Sequence, residues 1–260
     1  MKLNYNLFSG IVALLLFFVT AELASSQVLN VERLRGDVDR DPGWVGELRF
    51  DASLNKYRDQ IVRLGNQTNA GYYSEQHAYL LLSSINLVNV DGSSIVSSGH
   101  VHLRGTFFRN STWSPELFTQ YQYNLNMGME GRYLAGGALR YTFINSDDIS
   151  GHIGSGFMYE YERWDIDESD LVEKNLVKST TNLVVRGKLN PQVELLMIGY
   201  YQARPDNFFQ PRIISENQLN IRISQRLSFA VNFTLNYDFS PVIDVPELTY
   251  QLSNGIVISI

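Results

Sequence analysis

The chain has 260 residues, a formal charge of −6 and no cysteine. The negative balance argues against a nucleic-acid partner, and the lack of thiols excludes a disulfide framework, a thiolate nucleophile and a Cys-ligated metal. Aromatic residues reach 12%, with 15 Tyr and 14 Phe, yet no stretch approaches the roughly 18 consecutive apolar residues of a membrane-spanning helix.

Lys2, the apolar run at 11–19 (IVALLLFFV) and the small residues Ala24, Ser25 and Ser26 read as a removable export signal over residues 1–26. Residues 27–43 are charged and turn-rich and read as a periplasmic lead-in. From 44 to 260 a period of two takes over, the signature of strands. In the first strand Trp44, Gly46, Leu48, Phe50, Ala52 and Leu54 oppose Val45, Glu47, Arg49, Asp51, Ser53 and Asn55.

A weak second strand falls within 60–71, and a third at 77–87 is apolar on both faces around 80–82. The fourth sets Val101, Leu103, Gly105 and Phe107 against His102, Arg104 and Thr106. In the fifth, Leu117, Thr119, Tyr121 and Tyr123 oppose Glu116, Gln120, Gln122 and Asn124. The sixth places Tyr133, Ala135, Gly137, Leu139, Tyr141 and Phe143 opposite Arg132, Gly136, Arg140 and Thr142.

The seventh has Ile153, Phe157, Tyr159 and Tyr161 against Gly154, Gly156, Glu160 and Glu162. The eighth, 177–189, carries Lys178, Asn182, Arg186 and Lys188 on one side. The ninth, 193–202, is weaker because Leu196 and Ile198 interrupt its alternation. The tenth opposes Ile213, Leu219, Ile221 and Ile223 to Arg212, Glu216, Gln218, Asn220 and Arg222. The eleventh alternates cleanly from Leu227 to Asp238. The closing strand, 247–260, keeps an apolar face at its even positions, Asn254 excepted, for the whole of its length.

Turn chemistry separates these segments: Asp91-Gly92, Asn110-Ser111, Asn145 to Asp148, Asn190-Pro191 and Ser240-Pro241. The longest irregular piece is 164–175 (WDIDESDLVEKN), expected on the exterior. The fold class expected is all-β: a transmembrane antiparallel up-and-down β-barrel of about twelve strands, an even count placing both ends in the periplasm. A soluble secreted barrel would need an apolar lumen and a polar outside, which suits twelve strands of this length poorly.

Several segments carry a resemblance: NVERLR at 30–35, GW at 43–44, ASLNK at 52–56, FTQYQYN at 118–124, GGALRY at 136–141, GFMYEYE at 156–162 and YYQARPDNF at 200–208. Together they are similar to domain-of-unknown-function family 481, described as salt-induced outer-membrane proteins, with a lead-in of the Bacteroidetes type. The resemblance implies a Gram-negative outer-membrane β-barrel with a structural or salt-stress role, and supplies no catalytic residues.

The residues expected to face the lumen are Glu47, Arg49, Asp51, His102, Arg104, Glu116, Arg132, Arg140, Glu160, Glu162, Lys178, Arg186, Lys188, Arg212, Glu216 and Arg222. Interleaved signs suit cross-strand pairs that brace or fill a narrow barrel; a water-filled, solute-filtering lumen is the alternative. Arg132 and Arg140 beside Glu160 and Glu162 form the expected ladder.

His100 and His102 stand two apart on one face without further ligands at metal spacing. Asp165, Asp167, Glu168, Asp170 and Glu173 lack the spacing of a calcium loop. An outer-membrane lipase would draw on His77 or His152, but no nucleophile elbow is present. Neither catalysis, cofactor nor metal is therefore expected. Tyr72, Tyr73, Trp113, Trp164, Tyr200 and Tyr201 read as interfacial girdles. The expected partners are outer-membrane lipids and, through the C-terminal strand, the barrel-assembly machinery.

Overall fold

The computed structural model describes residues 41–260 apart from 57–59, 91–92, 166–170, 225–226 and 259–260; of residues 93–96 and 257–258 only the backbone is described. The expected signal peptide and most of the lead-in lie outside the described residues. Twelve strands follow one another: β1 (Gly43–Lys56), β2 (Gln60–Tyr73), β3 (His77–Val90), β4 (Ser93–Phe107), β5 (Trp113–Asn124), β6 (Met129–Asn145), β7 (Ile149–Asp165), β8 (Leu171–Asn190), β9 (Val193–Arg204), β10 (Asn207–Arg222), β11 (Leu227–Asp238) and β12 (Leu248–Ile258). Each pairs antiparallel with the next in one sheet ordered β1 to β12.

This is an up-and-down, barrel-type sheet. No ladder joins β12 to β1 among the described residues. An even number of strands brings Gly43 and Ile258 to the same end, the lower end below.

Period-two alternation sorts the side chains onto a concave and a convex face. On β6, Arg132, Leu134 and Arg140 are buried while Tyr133 and Leu139 are exposed. On β7, His152, Met158, Glu160 and Glu162 are buried, and Ile153, Phe157 and Tyr159 are exposed. Polar groups inside and apolar groups outside are the reverse of a soluble barrel, and the arrangement that hydrocarbon requires.

The convex face is graded by height. Tyr121, Tyr133 and Tyr161 stand side by side near the upper end, with ring centroids 4.6 and 6.1 Å apart. Trp113 and Tyr141 meet at 4.6 Å, and Trp44 and Tyr72 at 5.0 Å, nearer the lower end. Between Trp113 and Tyr121 the outward side chains of β5 are Pro115, Leu117 and Thr119. At about 3.3 Å per residue and a tilt of about 40°, those two aromatics bracket about 20 Å along the barrel axis, close to an apolar membrane band. Above Tyr161 the outward face turns charged, where Arg163 pairs with Glu130 at 2.6 Å.

The expectation of one irregular piece over 164–175 is corrected at its two ends, residues 166–170 lying outside the described residues. Trp164 and Asp165 end β7, and β8 begins at Leu171. Opposite charges face one another across this hairpin on both sides of the sheet: Glu162 opposite Lys174, and Arg163 opposite Glu173. Charges on both faces erase the polar/apolar alternation while still favouring cross-strand pairing. The longest described connection is instead 239–247, between β11 and β12.

The segments with blurred periodicity bury apolar groups inward. Leu80 and Leu82 of β3 pack with Tyr73 and Ala78, against which Val45 rests. Leu196, Ile198 and Tyr200 of β9 pack with Val184 and Ile214. The expected girdle is corrected by the same parity: neighbours on a strand point to opposite faces. Tyr73, Trp164 and Tyr200 are therefore buried inside, while Tyr72 and Trp113 remain exposed.

Candidate functional site

The concave face of β6 to β11 carries an ion-pair lattice near the upper end. Glu160 is its centre and has no solvent exposure. Arg132, the residue opposite its neighbour Glu162 across β6 and β7, donates from Nε to Glu160 at 2.6 Å. The same guanidinium lies 3.1 Å from Glu162. Lys178 of β8 pairs with Glu160, and Arg212 of β10 reaches it at 3.4 Å. Arg212 also binds Asp238 of β11 at 2.8 Å, and Trp164 donates its indole N–H to Glu162 at 3.1 Å. Three cations face three carboxylates, so the lattice is neutral and largely dry.

A second cluster sits lower. Glu116 of β5 faces Arg104 of β4 at 3.5 Å and Arg140 of β6 at 3.8 Å, and accepts a hydrogen bond from Thr106. Arg140 donates onward to the carbonyl of Arg109 at 3.1 Å. Arg109 lies in the β4–β5 connection and donates to the carbonyls of Ser74 and Gln76, which ties that connection to the β2–β3 turn. Its guanidinium covers the Tyr73 ring at 5.5 Å.

Between the clusters, polar side chains pack together on the concave face. His102 meets Gln120 at 2.9 Å and lies stacked near Phe118, and Gln120 donates to Gln122. A cavity of about 50 Å³ lies among them, lined from β4 through β9 by residues that include Arg104, Met158, Asn182 and Tyr200. Side chains of strands as distant as β4 and β9 thus share one small void, which requires a tightly curled sheet.

Of the residues expected inside, the structure gathers Arg104, Arg132, Arg140, Glu160, Glu162 and Arg212, together with His102, Glu116 and Lys178. Arg140 departs from the expected ladder. Lying one β6 face-length below Arg132, it pairs with Glu116 on β5 rather than with β7. Arg186 and Glu216 are half-buried; Lys188 and Arg222 are exposed. Glu47, Arg49 and Asp51 stand exposed on β1, where Arg49 meets its own-strand neighbour Glu47 at 3.2 Å.

His77 and His152 do not converge. His77 packs among Phe107, Phe108 and Tyr79 on the convex side, while His152 is buried on the concave face. No cluster of three or more metal-type ligands occurs among the described residues. Asp167, Glu168 and Asp170 lie outside them. Arg109 and the inward role of Trp164 were not anticipated from sequence. Parity could have placed Trp164, two positions beyond Glu162, but Arg109 acts from a connection that has no period.

A family profile described as "Protein of unknown function, DUF481" matches residues 64–259. The chain belongs to this family. The DUF481 match spans β2 to β12 and so contains both charged clusters. Comparison with curated proteins finds no match. Among solved structures, the chain is similar to the NanC porin, at 9% identity and a TM-score of 0.43, over 82% of this chain and 98% of the porin. It is also similar to the β domain of the Bordetella autotransporter BrkA, at 11% identity and a TM-score of 0.34, over 84% and 97%. Membership of the DUF481 family leaves the role open, and the barrel-type fold rests on the chain's own ladders.

Proposed function

We propose that this protein is a Gram-negative outer-membrane β-barrel, exported by a cleaved signal peptide, whose interior is braced shut by ion pairs. Its role is structural, in the envelope and under salt stress, and neither catalysis nor a cofactor enters it. The observation that carries this reading is Glu160, fully buried and held from three strands by Arg132, Lys178 and Arg212. An open lumen would hydrate such groups; here they neutralise one another. The uncharged band between the Tyr121 and Trp113 levels supports lipid as the partner of the convex face. The apolar face of β12 supports recognition by the barrel-assembly machinery.

A narrow channel for small solutes is the second reading, favoured by a polar cavity of about 280 Å³ that continues above the lattice. Single-channel recording of the refolded chain in planar bilayers separates the two. Insertion without conductance, with heat-modifiable mobility proving the fold, is expected. Discrete, salt-dependent current steps would replace the braced barrel by the channel.

A further inference from the structure

The cavity of about 280 Å³ at the upper end is walled by β7, β8, β9, β10, the end of β11 and the start of the 239–247 connection. Four cations line it, Lys174, Lys178, Arg204 and Arg212, against two carboxylates, Glu162 and Asp238. The lattice below is neutral and Asp206 offsets Arg204, so the excess positive charge is that of Lys174, which favours an anion. The cations are not equally engaged. Lys178 and Arg212 belong to the lattice below, and Arg204 is paired with Asp206 at the rim, whose carboxyl that hydrogen bond holds below the usual carboxylate range. Lys174 makes no ion pair among the described residues, so its ammonium is the group open to a new partner.

A second, independent feature borders the same space. Gln202 is 6% exposed and stands between this cavity and the small void below it, lining both, and its Oε1 accepts no hydrogen bond among the described residues. A buried acceptor left in that state costs about 1–3 kcal/mol, which a donor-bearing solute would recover. Apolar lining is confined to Leu176 and Ala203, with no aromatic ring to stack a planar or greasy ligand. The volume lies just below the range of drug-sized pockets, about 300–1,000 Å³, so the occupant is small.

We propose that this upper vestibule binds a small hydroxylated carboxylate, its carboxylate on Lys174 and the adjoining cations and a hydroxyl donating to Gln202. The site needs the fold, not the closed interior below it, so it stands whether or not the barrel conducts.

Trp164 supplies the readout, because its indole N–H is bound to Glu162, a wall of the cavity. The other two tryptophans, Trp44 and Trp113, are exposed and can be replaced. In the refolded Trp44→Phe, Trp113→Phe chain, gluconate should change Trp164 emission saturably and glucose should not. Lys174→Gln, which removes no ion pair of the lattice, should raise the gluconate Kd about tenfold, the loss expected for one charge-assisted hydrogen bond. Gln202→Leu should weaken gluconate but leave inorganic phosphate unchanged. An equal response to glucose, or an unaltered gluconate Kd in Lys174→Gln with native mobility, would overturn the site. Phosphate binding as tightly as gluconate would overturn the hydroxy-carboxylate assignment.

Discussion

Arg212 on β10 reaches Glu160 on β7 at 3.4 Å, across the two intervening strands. Only a strongly curled sheet allows that contact, and Lys178 of β8 pairs with the other carboxylate oxygen of Glu160. Glu160 is thus the single anion shared by three cations brought from positions 132, 178 and 212.

Replacing Glu160 by Gln leaves those cations facing one another in a dry interior. Removal of one partner from a buried ion pair costs about 3–5 kcal/mol. The loss should be read as a fall in the urea midpoint of the refolded protein. Arg212→Gln combined with Glu160→Gln should cost less than the two losses added together, because the single changes share one interaction. Strict additivity would mean that Arg212 and Glu160 do not meet in the folded protein.

The inside and outside of the sheet make a prediction at the level of single residues. Phe157 on β7 is exposed, and the register with β10 puts Asn232, opposite Gln218, on the same face as Asp238 opposite the inward Arg212, so that Phe233 takes the outward position. Phe157→Arg and Phe233→Arg should each cost about 2–4 kcal/mol if they sit mid-bilayer, and Asn232→Arg far less. Refolding titrations into lipid vesicles measure all three. Equal losses at Asn232 and Phe233 would reverse the assignment of faces.

Much of this architecture is legible in the sequence because alternation survives wherever one face is apolar and the other polar. β11 and β12 read cleanly for that reason, and so do the inward positions of Arg132, Glu160 and Glu162. The reading weakens where the interior is itself apolar. Leu80, Leu82, Leu196 and Ile198 look like lapses in the pattern, yet they point inward and pack in two clusters. It fails at the β7–β8 tip, where Arg163 and Glu173 put charges on the outer face as well. Partner choice is less legible than direction. Arg140 lies on the expected face, but the sheet's stagger delivers it to Glu116 rather than to Glu160.

The tight curl has its own requirement at the β6–β7 seam. A Cβ added to Gly156 would overlap the carbonyl oxygen of Gly137, and one added to Gly136 would lie 2.6 Å from the carbonyl oxygen of Phe157. Both obstacles are backbone, so neither can rotate away. Gly156→Ala should destabilise the barrel by about 1–3 kcal/mol or more, the range for overpacking. Gly199→Ala, where an added Cβ meets nothing within 4 Å, is the matched control. Heat-modifiable mobility after refolding compares them, and equal recovery of both variants would show that the seam is looser than described.

Arg109 makes the last prediction, about the lower end. Its main-chain N–H donates to Gln76 and its Nε to Ser74, both at 2.8 Å, and Asn110 donates to Glu75 at 2.9 Å. Two connections distant in sequence are therefore closed as one unit, with Arg140 fastening it from inside. Arg109→Ala removes the side-chain part of that closure and its cover over Tyr73, while leaving the strand ladders intact. A charge-assisted hydrogen bond of about 1.5–3 kcal/mol corresponds to about ten- to a hundredfold faster local opening. Amide exchange at 74–76 and 108–112 should accelerate by that factor, with β6 and β7 unchanged. Arg109→Lys keeps the charge but not the planar contact with the ring, so it should recover only part of the protection. Unchanged exchange at both connections in Arg109→Ala would mean that the main-chain bonds alone hold the lower end.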